Sequence, residues 1–229
     1  SKDKIDQAAK IICDARKPMI YTGGGVILGK AHTQLQKLVK KLKYPITSTL
    51  MGLGGYPCSD SQFLGMLGMH GTYEANMAMH DCDVLLAIGA RFDDRVTGDT
   101  SKFCPSAKII HIDVDPSSIS KIIEVDLSLV GETSKILRTL NSSIDLYKKN
   151  IKTKSIKKWW VKINKWKATK CLSYKKSNKI IKPQSVIEKL YEITKGNAYV
   201  TSDVGQHQMW VAQYYKFDKP NRWMNLSIY

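Results

Sequence analysis

LGMHGTYEANMAMHDCDVLLAIGARFDDRVTG, residues 67–98, is the stretch that decides the fold. Its physical parts follow one another without overlap. A polar turn punctuated by Gly65, Gly68 and Gly71 comes first, and a segment with helical spacing through Tyr73, Met77 and His80 follows. The apolar run Val84-Leu85-Leu86-Ala87-Ile88 then stops at Gly89, and the charged loop Arg91-Phe92-Asp93-Asp94-Arg95 takes over. A short branched run that ends in glycine and charge is how a parallel strand, buried on both faces, meets a crevice. In open α/β sheets, ligands collect at the carboxyl ends of such strands.

Outward from there the same alternation repeats. Residues 4–16 read as an amphipathic helix ending before Lys17-Pro18, and Met19–Thr22 reads as a strand running into Gly23-Gly24-Gly25. A second helix carries Leu35, Leu38, Val39 and Leu42, and Pro45–Thr49 forms the next strand before the loop Leu50-Met51-Gly52. Downstream, Lys108–Asp115 is a strand ending in carboxylates, and Ile119–Ile123 is a short helix or turn. Leu127–Gly131 is a fifth strand and Thr133–Ile144 a closing helix. Strands alternating with helices imply an α/β, doubly wound parallel sheet with right-handed crossovers.

The division expected is a first domain over 1–148, a Lys-rich linker with an amphipathic helix over 149–182, and the start of a second α/β domain over 183–229. That second unit opens with a helix after Pro183 and a strand Ala198–Asp203. The chain stops too soon afterwards to complete another sheet.

The net charge of +16 resembles a nucleic-acid signature until it is located. Residues 146–187 hold 14 lysines and no acid, which leaves the rest of the chain nearly balanced. A phosphate-binding face usually mixes arginine among its lysines, because the guanidinium is the better fork. None occurs here, so a solvated linker face is preferred to a nucleic-acid site. Trp159, Trp160, Ile163 and Trp166 sit at helical spacing among these lysines. Such a helix could lie on a membrane or stack on bases. The reading preferred is a connector whose tryptophans dock on neighbouring parts of the protein.

Five scattered cysteines with no CxxC pair fit a reducing compartment. The N-terminus has no apolar signal core and no run approaches membrane-spanning length, so a cytoplasmic protein is expected. The first residue is Ser1, so the chain is expected to begin inside a longer protein.

Two motifs admit two readings each. Glycines 23–25 let a backbone approach a diphosphate at a helix N-terminus, yet tight strand-to-helix turns use glycine without any ligand. Of the two carboxylates after the strand, Asp113 is the ligand candidate, and Asp115 before Pro116 is good helix-capping chemistry. No His or carboxylate partner at ligand spacing supports a metal there. A third motif, Val204-Gly205-Gln206-His207-Gln208-Met209, puts a glycine and polar donors at a helix start, which suits a diphosphate.

Residues 67–98 and the string DVGQHQMW resemble the catalytic subunits of acetohydroxyacid synthases, thiamine-diphosphate enzymes whose central domain holds FAD. The resemblance runs from the first helix to about Asn225 and is weakest in the Lys-rich connector. It implies FAD contacts at Gly23, Gly24 and Gly25, at Thr49, Leu50 and Met51, and at Leu67, Gly68, Met69 and His70. Further implied contacts are Gly89, Ala90, Arg91, Phe92 and Asp93, then Asp113 and Val114, then Asp126 and Leu127. It implies thiamine-diphosphate contacts at Val204, Gly205, Gln206, His207 and Met209, and a substrate-channel role for Arg95. The catalytic glutamate of the family and its Mg²⁺ ligands are expected outside these residues, so no catalytic residue is assigned and the chain alone is expected to be inactive. Leu226–Tyr229 departs from the Gly-rich continuation of the family.

The activity implied is condensation of two 2-ketoacids with loss of CO₂, in branched-chain amino-acid biosynthesis. A homodimer or homotetramer with a small regulatory subunit is implied, with neither nucleic acid nor membrane as partner. The alternatives are another thiamine-diphosphate decarboxylase or oxidase, a flavin or nicotinamide dehydrogenase, and a basic nucleic-acid-binding module.

Overall fold

A computed structural model describes residues 1–225; the expectation for Leu226–Tyr229 lies outside the described residues. In chain order the first helices and strands are α1 (Lys2–Asp14), β1 (Pro18–Thr22), α2 (Gly24–Leu28), α3 (His32–Leu42), β2 (Ile46–Ser48), β3 (Phe63–Met66), α4 (Tyr73–Asp81) and β4 (Val84–Ile88). Then come α5 (Asp94–Thr97), β5 (Lys108–Asp113), β6 (Leu127–Val130), α6 (Thr133–Tyr147) and α7 (Thr153–Lys167). The last group is α8 (Pro183–Thr194), β7 (Val200–Ser202), α9 (Gln206–Tyr214) and β8 (Trp223–Asn225).

Strands β1 to β6 form one parallel sheet in the order β3-β2-β1-β4-β5-β6. Alternate side chains feed two cores. Ile20, Leu86, Ile88, Ile110 and Ile112 pack under α1, α3 and α6, whereas Met19, Tyr21, Leu85, Ala87 and Ile109 pack under α4 and α7. Every residue of β1 and β4 is buried, as expected of strands covered on both faces.

The sequence pattern carries no sign of β3 and places Gly65 in a turn. Strand and turn are both present. Gly65 has φ +94° inside the strand, and the β2–β3 register goes from Ile46↔Phe63 to Ser48↔Met66, so β3 carries one extra residue. A glycine bulge on a short edge strand erases the alternation that would have announced it. Helix α4 also differs in the face it buries: Ala75, Ala78 and Met79 face the sheet, while Tyr73 and His80 are exposed. Of the two forms expected for Ile119–Ile123 the turn is the one observed, and a 3-10 turn over Pro116–Ser118 precedes it.

Helix α7 is a strap across the amino ends of the sheet. The Trp159 indole N–H donates to the carbonyl of Pro18 at 3.0 Å, and that of Trp160 to Lys43 at 2.8 Å. Ile156, Trp159 and Ile163 are buried, whereas Lys154, Lys157, Lys158 and Lys165 face solvent. The basic stripe therefore lies at the end of the sheet opposite the strand carboxyl ends.

Lys162 of α7 pairs with Asp81 at the end of α4, and the ammonium holds that carboxyl below its ordinary 3.8. A depressed carboxyl contributes stability above its unfolded value, and the contribution is lost as pH falls through the folded value. The difference in urea midpoint between wild type and Asp81→Asn is therefore expected to be present at pH 7 and to shrink as the pH falls below 3.8 and through the folded value. A difference that persists in acid would show that the pair is not its source.

The second unit packs beside the edge strand. Val200, Val211, Ala212, Tyr215, Phe217 and Trp223 share a core with Leu53 and Met66 of the first. β7 and β8 pair in parallel. Among the described residues, no helix is long and apolar enough to cross a membrane.

Candidate functional site

The sheet order reverses between β1 and β4, and the two glycine turns after these strands meet there. Gly25 N–H donates to the Gly89 carbonyl at 2.9 Å and Gly23 N–H to Ile88 at 3.0 Å. A Cβ added to Gly23 would stand 2.3 Å from the Gly89 oxygen, and one on Gly25 would stand 2.7 Å from Gly89 Cα. Those glycines are required by backbone touching backbone. Gly24 is different: its nearest neighbour would be Met51, at 3.4 Å. Of the two readings of this turn, packing accounts for Gly23 and Gly25, and close approach of a ligand has room at Gly24.

Three more loops, after β2, β3 and β5, end beside this point, and the turn after β4 runs on along it. Thr49 after β2 accepts from Gly52 N–H at 3.0 Å, closing a 3-10 turn in which Leu50 is half-buried and Met51 exposed. After β3, Leu67 is buried and Gly68 has φ +99°. Asn76 clasps Gly68 by donating to its carbonyl at 3.0 Å and accepting from its N–H at 3.1 Å. Met69 N–H reaches the Arg95 carbonyl at 3.0 Å, tying this loop to the one after β4. His70 is exposed.

In the β4 loop, Ala90 and Phe92 point inward, Arg91 and Arg95 stay exposed, and Asp93 caps α5 by accepting from Arg95 N–H at 3.1 Å. The Tyr21 phenol, kept protonated by burial, donates to the Arg91 carbonyl. At the end of β5, Asp113 is buried and accepts from Asp115 N–H at 2.9 Å, while Val114 is exposed. Asp115 caps the following turn as its sequence implied; the Ser117 hydroxyl and amide hold its carboxyl below the usual range.

The strand ends of β1 to β5 thus form one continuous rim. At about 4.8 Å between neighbouring strands it spans roughly 19 Å, the scale of an extended dinucleotide. Met51, Met69 and Val114 stand 49%, 68% and 67% exposed along it. Apolar side chains are thus left bare beside glycine turns. Asp126 and Leu127 lie elsewhere, at the amino end of β6. The Asp126 carboxylate accepts from Ile109 N–H at 2.7 Å, and Leu127 is in the core.

His111, in the middle of β5, was not singled out from sequence. It is fully buried; its Nε2 lies 3.0 Å from the Ala90 carbonyl, which makes Nε2 the protonated nitrogen. Burial lowers its pKa, so the ring is neutral at pH 7. Neither His111 nor the Asn76 clasp has a local sequence signature, since each is defined by a partner on another element.

In the second unit, Gly205 has φ +152° and opens α9 with Val204, Gln206 and His207 exposed around it. The His207 ring folds back over Gly205, where a Cβ would stand 2.8 Å from it. Gln208 is buried against Asn225, and Met209 packs in the shared core. The two candidate regions are neighbours. Gln213 of α9 donates to the His70 carbonyl at 2.9 Å, above a cleft of about 180 Å³ lined by Met66, His70, Gln213 and Lys216. Among the described residues, no group of three or more His, Cys, Asp or Glu is placed to hold a metal ion.

Residues 5–140 match the thiamine pyrophosphate enzyme central domain, and residues 203–229 match the C-terminal TPP binding domain of the same enzymes. The chain is 50% identical over 222 residues to the acetolactate synthase large subunit of Buchnera aphidicola subsp. Schizaphis graminum, covering 97% of this chain and 38% of that protein. It is 49% identical to the acetolactate synthase isozyme 3 large subunit of Escherichia coli, covering 98% of this chain and 39% of that one. To the acetolactate synthase of Mycobacterium leprae it is 44% identical, over 97% and 36%. The chain spans about two fifths of the length of the curated relatives it matches.

Proposed function

Because the chain belongs to the thiamine pyrophosphate enzymes, we propose that it is part of an acetolactate synthase catalytic subunit. In that reading residues 1–148 hold FAD, 149–182 connect, and the chain from 183 begins the thiamine-diphosphate-binding domain. The observation that carries it is the rim at the carboxyl ends of β1 to β5, with glycine turns meeting at its centre and bare methionines along its edge.

Gly24 and the loops Thr49–Met51, Leu67–His70, Gly89–Asp93 and Asp113–Val114 are the residues to hold FAD. Its role here is to shape the channel. Gln206, His207 and the N-terminus of α9 are the groups to bind the thiamine diphosphate, since a helix start and polar donors favour a diphosphate. Met209 would lie beside its ring. When bound, this cofactor supplies the electron sink for decarboxylating a 2-ketoacid. Exposed Arg95 can orient the carboxylate of that ketoacid through a two-point hydrogen bond. The whole enzyme would join pyruvate to a second pyruvate or to 2-ketobutyrate with loss of CO₂. It would work in the cytoplasm, as an oligomer with a small regulatory subunit, with Mg²⁺ held by residues outside this chain.

The test is flavin binding. FAD titrated into the 229-residue chain is expected to bind saturably, with its fluorescence changed, and not to be bleached by NADH. No binding removes the reading; rapid bleaching by a hydride donor would put a dehydrogenase in its place.

A further inference from the structure

His111 is a polar side chain in the middle of a strand whose neighbours Ile109, Ile110 and Ile112 are all buried and apolar. An apolar residue there would avoid the cost of drying an imidazole. Its Nδ1 has no hydrogen-bond partner among the described residues. What the ring does have is a place between two loops. Nε2 lies 3.0 Å from the carbonyl of Ala90, in the turn after β4, and 3.7 Å from Asp113 Oδ2, at the end of β5. It packs against Phe92 in an edge-to-face arrangement, with ring centroids 5.1 Å apart and planes at 71°. Ala90 is 2% exposed, so without the imidazole its carbonyl would lose this donor in a place largely closed to water.

We propose that His111 is a positioning residue for the dinucleotide rim: its Nε2–H pulls the Ala90 carbonyl inward. That turns the other side of the Gly89–Asp93 loop outward and sets it relative to Asp113. The inference rests on the reading that these loops hold FAD. The chain reverses at Gly89, where φ is +55°, so the plane of the next peptide decides which groups face the crevice. One donor fixing one carbonyl is an economical way to choose that plane.

Two variants of the 229-residue chain separate positioning from packing. His111→Phe keeps an aromatic ring against Phe92 and removes the donor. His111→Gln gives up the ring and retains an N–H near the place of Nε2. If the donor positions the loop, FAD affinity from flavin fluorescence falls about tenfold or more in the Phe variant and stays within about threefold in the Gln variant. That order is expected even where the Gln variant is the less heat-stable of the two. A merely structural role predicts the reverse, with affinity following stability. Equal affinity in all three chains overturns the proposal and leaves the FAD reading standing. A wild-type chain that binds no FAD takes both down.

Should a variant fail to fold, nitrogen NMR of the wild-type imidazole decides. A neutral, Nε2-protonated ring whose N–H resonance shifts on adding FAD supports the assignment, and a resonance unmoved at saturation overturns it.

Discussion

Gly23→Ala is expected to cost ~3 kcal/mol or more of folding stability, as a forced overlap in a packed interior does. The added methyl would lie 2.3 Å from the Gly89 oxygen and 2.6 Å from Ala90 Cα. Both are backbone atoms, held by the ladder that joins β1 to β4, so no side chain can rotate away. Relief requires the two central strands to separate at their carboxyl ends. Gly24→Ala is the control: its methyl meets Met51 at 3.4 Å, and alanine is the better helix former by ~1 kcal/mol. Its stability should match or exceed wild type. If Gly24 lies under the diphosphate, its FAD affinity should nevertheless fall about tenfold. Urea denaturation and flavin titration of the two variants give the contrast. A wild-type midpoint for Gly23→Ala would mean that the turns do not touch.

Trp159→Ala should cost ~3–5 kcal/mol, the range for deleting a large buried aromatic. Trp159 is 2% exposed, bonds Pro18 at the start of β1 and stacks edge-on against Trp166. Against a typical stability of ~5–15 kcal/mol this is a large fraction. Lys157→Ala, on the outer face of the same helix, should change stability by no more than ~0.5 kcal/mol. Thermal unfolding of both variants tests whether α7 is a strap on the sheet or a free tether. Equal, small effects would mean a tether.

The pattern of residues made five of the six central strands legible, because buried parallel strands are short, branched and bounded by glycine or charge. It failed at β3, where Gly65 broke the period, and at β8, where Trp223-Met224-Asn225 holds no branched residue to mark a strand. The candidate crevice could be placed, since strand-end loops are marked by glycine and carboxylate. What individual residues do there was less accessible. Glycines 23 and 25 look identical to Gly24 in sequence, yet only the fold shows that they face Gly89. Asp113 and Asp115 were separable because Pro116 marks a cap. The tryptophans of α7 could be read as a docking stripe from their spacing, but not which end of the sheet they would cross.

The core beside the edge strand has a consequence for synthesis of the chain. Leu53 and Met66 are covered by side chains between Val200 and Trp223. At ~5–20 residues per second on the ribosome, they stay uncovered for roughly ten to thirty seconds after they are made. During that interval the nascent polypeptide presents a greasy sheet margin to its surroundings. Holding it apart from its neighbours on the polysome becomes a task for chaperones or for speed.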